Sequence, residues 1–339
     1  MPRLTQAIIN LTRLTSLSTR VLADSTSQPT AFVQRPPSYT LPAFRVGAGV
    51  AGYFGGGSDS VGDLSGIDKI TFPGDTKTTL SATLTTGRRS MGSMANSTVA
   101  GYFGGGFDGG NLSGIDKITF PGDTKTTLSA TLTTATRELA GMANSSTAGY
   151  FGGGSQPLSG MDKITFPADT KTTLSATLTS ARDAPAGMAN SGTAGYFGGG
   201  FDTASINGID KITFPADTKT TLSATLTTAS YFVGGMANSG TAGYFGGGYT
   251  GSVSLSQIDK ITFSADTKTT LSATLTSARY GPAGMANSGV AGYFGGGDDG
   301  AFISGIDKIT FPADTKTTLS ATLTTARRSM GGMADSGAI

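Results

Sequence analysis

Three features of this chain carry residue types that could do chemistry: the adjacent carboxylates Asp298 and Asp299, an Asp-Lys dipeptide that recurs six times (Asp68–Lys69 is the first), and a triple glycine that also recurs six times. Glycoside hydrolysis needs two carboxyl groups opposed across the scissile bond at roughly 5 to 10 Å. Neighbouring residues rarely reach that geometry, and the positions equivalent to Asp298 and Asp299 in the rest of the chain are not acidic in a matching way. Neighbours on a strand point to opposite faces, so the Asp-Lys pairs are expected to be a solvated or sheet-edge pattern and not a site. The glycines lack the Lys-Ser/Thr and the helix that a phosphate-cradling loop requires. Histidine and cysteine are absent, which removes imidazole acid–base pairs, thiol nucleophiles and most zinc, haem and iron–sulfur chemistry. A non-enzymatic protein without cofactor or metal is the expectation.

Composition narrows the partners. Among 339 residues, 52 are glycine, 14% are charged and the formal net charge is +2. That balance argues against a nucleic-acid binder or an acidic tail. No apolar run reaches the ~18 to 20 residues needed to cross a bilayer as a helix.

The elements that must position any site are repeats. The tyrosines of the recurring phrase "GYFGGG" are Tyr53, Tyr102, Tyr150, Tyr196, Tyr244 and Tyr293, spaced by 49, 48, 46, 48 and 49 residues. A period of roughly 40 to 50 with twofold apolar alternation is the mark of four-stranded propeller blades. Within one unit, "GMAN" and "AGYFGGG" read as two strands joined by an Asn/Ser/Gly turn. "IDKITF" reads as a third, with Asp68, Ile70 and Phe72 on one face and Lys69 and Thr71 on the other. "PADTKT" reads as a turn, and "TLSATLTT" as a fourth strand with Leu80, Ala82 and Leu84 on its buried face. Met94, Met142, Met188, Met236, Met285 and Met333 recur on the innermost strand and are expected in the core. Glycine costs about 0.5 to 1 kcal/mol in a strand, so keeping three of them six times implies close approach between blades.

The ends complete one unit. The chain stops at "GGMADSGAI", a first strand and turn, while the first full unit begins at the second strand, "AGYFGGG". Joining them regenerates a repeat, the expected seam of a closed ring. The segment 42–51 competes with 332–339 for the same innermost slot, and the recurrence of "GMA" favours the C-terminal one. The reading is therefore an all-β chain, a six-bladed propeller over 42–339 closed by its C-terminal strand, preceded by a distinct segment, 1–41.

In order, "YFGGG", "ITFPADT", "TTLSATL" and "TTAR" resemble the blade of kelch-type β-propellers over about residues 50 to 339. Trp is missing where that family usually has it, with Leu80 and its equivalents in its place. The family's Arg position holds Arg88, Arg182, Arg279 and Arg327, but Thr136 and Ser230 in two units. The near-identical "GYFGGG…IDKI" units are also similar to arrays in proteins of tailed bacteriophages, especially marine cyanophages. That resemblance implies a virion or tail-fibre role, with assembly in the host cytoplasm and several copies per particle.

Variation is confined to two connections per unit, which alternate strand direction places at one end of the ring. After the glycines they read "SDSVGDLSG", "FDGGNLSG", "SQPLSG", "FDTASING", "YTGSVSLSQ" and "DDGAFISG". A fixed scaffold with variable loops at one end is how binding surfaces are commonly built. The candidate rim residues are Phe107, Asp108, Phe201, Asp202, Tyr231, Phe232, Tyr249, Tyr280, Asp298 and Asp299, a set of rings and carboxylates suited to carbohydrate, and the rim is expected to bind a host-surface glycan or a protein. Unconstrained drift of the loops is the competing explanation. In the first segment, Leu4, Ile8, Leu11, Leu14, Leu17 and Val21 fall at helical spacing, and a Pro-rich stretch follows. They suggest an anchor that docks into other virion proteins and a linker, although an Arg- and Ser/Thr-rich leader resembles an organellar transit peptide. A purely architectural protein docking through 1–41, or a cellular kelch-type adaptor, are the alternative functions.

Overall fold

Alternating apolar residues, glycine and threonine give every unit a meander of short strands, and the computed structural model of the chain describes residues 51–336. Strands β1 (Ala51–Gly55), β2 (Ile67–Thr71) and β3 (Thr76–Thr79) pair antiparallel in sequence order. The next sheet runs from β4 (Gly92–Asn96) through β5 (Ala100–Gly104) and β6 (Ile115–Thr119) to β7 (Thr124–Thr127). The pattern continues to β23 (Thr315–Thr318), and the last strand, β24 (Gly331–Ala334), pairs with β1 and sets Met333 opposite Tyr53. The result is six four-stranded antiparallel sheets, a six-bladed β-propeller closed by its C-terminal strand. Blade 1 is β24 with β1–β3, and blades 2 to 6 follow in chain order. The C-terminal segment thus takes the innermost slot. The proposed anchor residues Leu4, Ile8, Leu11, Leu14, Leu17 and Val21, and the competing residues 42–50, lie outside the described residues. Among the described residues no helix is long and apolar enough to cross a membrane.

The fourth strand differs from the sequence reading. It is "TKTT", not "TLSATLTT". The turn occupies only Phe72 to Asp75, with Asp75 at φ 52°, and the strand begins at Thr76. Being outermost, it meets water along most of its length, so polar β-branched threonine suffices and no apolar alternation marks it. The leucines that looked like a strand face are an irregular segment folding back over the sheet, with the Leu80 and Leu84 amides donating to the carbonyls of Ile67 and Ser65 at 2.9 Å each. Only Leu84 of that trio is fully buried.

The Asp-Lys dipeptides also differ from expectation, since their aspartates are buried. Asp68 and Asp116 are each 1% exposed. Both residues of the pair serve the joints between blades. Lys69 reaches forward to Asp123 of blade 2 at 2.7 Å, beside the Tyr53 hydroxyl, which donates to the same carboxylate at 2.9 Å. Tyr53 stacks on Phe120 at 5.0 Å, and burial together with Asp123 drives its pKa far above the ordinary phenol value. Glycine crowding is real at these joints: a Cβ on Gly55 would lie 2.6 Å from the Phe103 ring of blade 2. The innermost-strand methionines Met94, Met142, Met188, Met236, Met285 and Met333 are all 0% exposed.

Candidate recognition site at the mouth of the ring

Blade strands converge on the axis so tightly that a Cβ on Gly141 would overlap the Ser93 carbonyl of the neighbouring strand. Above this constriction, the segments entering the six innermost strands each hold one residue at positive φ: Ser90 (56°), Glu138 (60°), Ala184 (47°), Phe232 (53°), Gly281 (64°) and Ser329 (54°). Five of the six are not glycine, in a region that L-residues seldom enter. The strain has a structural return. In this conformation each amide donates to the carbonyl of the equivalent residue in the preceding blade: Glu138 to Ser90 at 2.6 Å, Ala184 to Glu138 at 2.7 Å, Phe232 to Ala184 at 3.0 Å, Gly281 to Phe232 at 2.8 Å, Ser329 to Gly281 at 2.9 Å and Ser90 to Ser329 at 2.7 Å. The six bonds form a closed backbone annulus that uses no side chain.

Side chains on and just above the annulus are therefore free to differ. The residue before each positive-φ position reads Arg89, Arg137, Asp183, Tyr231, Tyr280 and Arg328 around the ring. Together with the loops after the triple glycines they enclose a basin of about 470 Å³, lined by Arg89, Ser90, Arg137, Glu138, Tyr231, Phe232, Tyr249, Tyr280, Arg328 and Ser329. The two variable loop sets meet through isolated bridges within each blade that extend the pairing of its two inner strands, Arg89 with Phe107, Tyr231 with Tyr249 and Tyr280 with Asp298.

The basin has two halves. One is aromatic: Tyr231 lies 5.2 Å from Phe232 and 5.7 Å from Tyr249, and Tyr249 lies 5.4 Å from Tyr280. The other is cationic. Phe107 sits between the Arg89 and Arg137 guanidinium groups at 4.7 and 4.8 Å from its ring centroid, a pairing favourable for the ring quadrupole. Arg89 is held by Asp63 at 2.6 Å, Arg328 by Asp298 at 3.0 Å, and Arg137 lies 3.4 Å from Glu138. Burial raises the pKa of Glu138 against the pull of Arg137. Burial, then the Glu138 charge, pushes the Asp183 carboxyl up to about 6. Burial and the nearby Arg89 charge lower the pKa of Arg328, and burial raises that of Tyr231, with Tyr249 and Glu138 adding to it.

Of the residues singled out in the sequence, Tyr231, Phe232, Tyr249 and Tyr280 line this basin. Phe201 backs it by packing on Tyr231 at 5.1 Å, and Phe107 orients two arginines. Asp298 accepts from the Tyr280 hydroxyl at 3.1 Å and from Arg328. Asp108, Asp202 and Asp299 are exposed on loop turns, where their amides donate to Gly110, Ala204 and Ala301, and they do not enter the basin. The Asp298–Asp299 pair is thus divided between a bonded wall position and a solvent turn. Sequence reasoning missed Arg89, Arg137, Glu138, Asp183 and Arg328. The signal was present in the loop column that reads Arg, Arg, Asp, Tyr, Tyr, Arg, but only ring closure turns that column into one surface. Among the described residues no group of three or more acidic side chains is placed to hold a metal ion. In comparison with known proteins, the chain matches no family model and no curated relative.

Proposed function

We propose that this protein is a non-catalytic recognition propeller, a virion-associated structural protein of the tail-fibre kind that uses the basin at its variable end to bind a host-surface glycan. The observation that carries this reading is the division of the basin into an aromatic half and an arginine/glutamate half. Flat rings stack on the apolar faces of sugars, while the guanidinium groups and Glu138 supply donors and an acceptor for hydroxyls. A volume of about 470 Å³ lies within the range of roughly 300 to 1,000 Å³ typical of small-ligand sites. The virion assignment is supported by the resemblance of the repeats to phage arrays, and it places residues 1–41 as the docking segment toward other particle proteins.

The test is a glycan array followed by calorimetric titration of the full chain and of Tyr231→Ala and Tyr280→Ala. Saturable binding by the wild type that either substitution weakens at least tenfold supports glycan recognition; binding insensitive to both overturns it. Proteomics of purified particles tests the virion assignment separately, and absence of the chain from particles would sink that part alone.

A further inference from the structure

At four of the six joints, an arginine from one blade fills a slot in the next. Arg88 enters blade 2 and donates to the carbonyls of Gly105 (3.2 Å), Gly114 (3.3 Å) and Phe103 (3.3 Å) and to the Asp116 carboxylate (2.7 Å). Arg182, Arg279 and Arg327 make the same ion pair with Asp210, Asp307 and Asp68 at 3.1, 3.0 and 3.0 Å. The slot entering blade 3 has Thr136 at this position, and it is a cavity of about 90 Å³. Its walls include Phe151, Gly153, Gly160 and Asp162, the repeat equivalents of Phe103, Gly105, Gly114 and Asp116. About 10 to 15 Å³ by this measure holds one water, so the space admits a planar guanidinium.

The carboxylate remains ready for one. Asp162 keeps the bonds its siblings have, from the Thr133 amide at 2.7 Å, the Thr133 hydroxyl at 2.6 Å and the Thr173 hydroxyl at 2.9 Å. What it lacks is the guanidinium donor, which in blade 2 shares one carboxylate oxygen with the Thr85 amide. The slot is also uncovered. The loop "SQPLSG" at 155–160 is two residues shorter than its counterpart "FDGGNLSG" at 107–114, and Asp162 is 8% exposed against 0% for Asp210. Blade 5, whose joint has Ser230, departs differently. There Gln257 replaces the glycine equivalent to Gly160, and its oxygen accepts from the Thr228 hydroxyl at 3.2 Å, bridging positions that correspond to two walls of the blade 3 cavity.

We propose that the Asp162 cavity is a guanidinium-binding site that takes an arginine side chain presented by a partner polypeptide. The incoming group would meet the equivalents of the three carbonyls and the carboxylate that receive Arg88 in blade 2, a planar, charge-assisted geometry that a lysine ammonium does not match. The site lies at the joint of blades 2 and 3 and does not depend on the axial basin or on glycan binding.

The experiment is calorimetric titration and thermal unfolding of the full chain with N-acetylarginine amide, methylguanidine and, as a charge control, methylamine. Wild-type protein should bind the arginine derivative saturably at one site and more tightly than methylguanidine, and its Tm should rise. Thr136→Arg, which restores the pattern of the four filled joints, should weaken binding at least tenfold, while Ser230→Arg should leave it unchanged. Absence of saturable binding to the wild type, equal binding by Thr136→Arg, or equal binding of methylamine each overturns the site. Equal affinity for methylguanidine and the arginine derivative overturns the polypeptide source. A crystal soak placing methylguanidine away from Asp162 overturns the assignment even if a variant fails to fold.

Discussion

The two ends of the ring solve the same joining problem by different means. At the invariant end the connection is made by side chains. The Ser145 amide donates to the Ser191 hydroxyl at 2.9 Å and the Gly192 amide to the Asn144 side chain at 2.9 Å, and the same kinds of bond link the neighbouring turns. At the variable end the connection is the backbone annulus of Ser90, Glu138, Ala184, Phe232, Gly281 and Ser329. Where a side chain is itself the joint at this end, its identity is held: the serine recurs in all six units and the asparagine in five, with Asp335 at the seam. Where the backbone is the joint, the residues in the circle can differ from unit to unit at no cost to closure, and a recognition surface becomes possible.

That contrast can be pressed hardest at the joints. Asp116→Ala leaves the Arg88 guanidinium buried without its counter-ion, and loss of one partner of such a pair costs on the order of 3 to 5 kcal/mol; denaturant unfolding should show it as a lower midpoint. Burial alone would raise the pKa of Asp116, but the Thr85 hydroxyl and amide and Arg88 outweigh it and hold it below the ordinary value. The folded-state pKa is thus the lower one, and this stabilisation is present above about pH 4 and is lost as pH falls through the folded value. Gly55→Ala should cost about 1 to 3 kcal/mol, because the new methyl would collide with the packed Phe103 ring, and a crystal structure should show that ring displaced.

The seam gives an effect of opposite sign. Asp335 stands where the other units have Asn96, Asn144, Asn190, Asn238 and Asn287, and it accepts from the Ala51 amide at 2.8 Å. Burial pushes its carboxyl up to about 6, against the pull of Ala51 and Lys69. Its folded-state pKa lies above the unfolded one, so its contribution to stability is fully present below about pH 4 and is lost as pH rises through about 6. Asp335→Asn should therefore stabilise the ring by on the order of 1 to 2 kcal/mol at pH 7 and by nothing near pH 3, as thermal scans across pH would read out. The smallest effect belongs to the rim: Tyr280→Ala should cost about 1 kcal/mol, for the lost ring packing on Tyr249 and the hydrogen bond to Asp298, measured by the same scans, while removing a wall of the basin.

The Tyr53-type spacing and the split repeat at the two ends made blade number and the closing strand legible before any coordinates. The outermost strand was not legible, because apolar alternation marks burial, and "TKTT" is a strand with little to bury. Leu80 and Leu84 alternated convincingly without forming one. On the rim, aromatic residues stand out within their own loops, whereas nothing in any one loop sets Arg89, Arg137 or Arg328 apart. Their position around one axis is a property of the closed ring and of no single loop.

By itself the sequence determined a ring of near-identical units, since each blade must bury its faces against neighbours written in the same words. It could not say which copy meets which. Arg88 has an identical aspartate in its own unit, Asp68, and in the next, Asp116, and repetition makes the two indistinguishable in the text. Only the tertiary structure decided that Arg88, Arg182, Arg279 and Arg327 reach forward, because the segment after the outermost strand passes over the joint on its way to the following blade, and that physical route left the Asp162 slot open where Thr136 arrives instead.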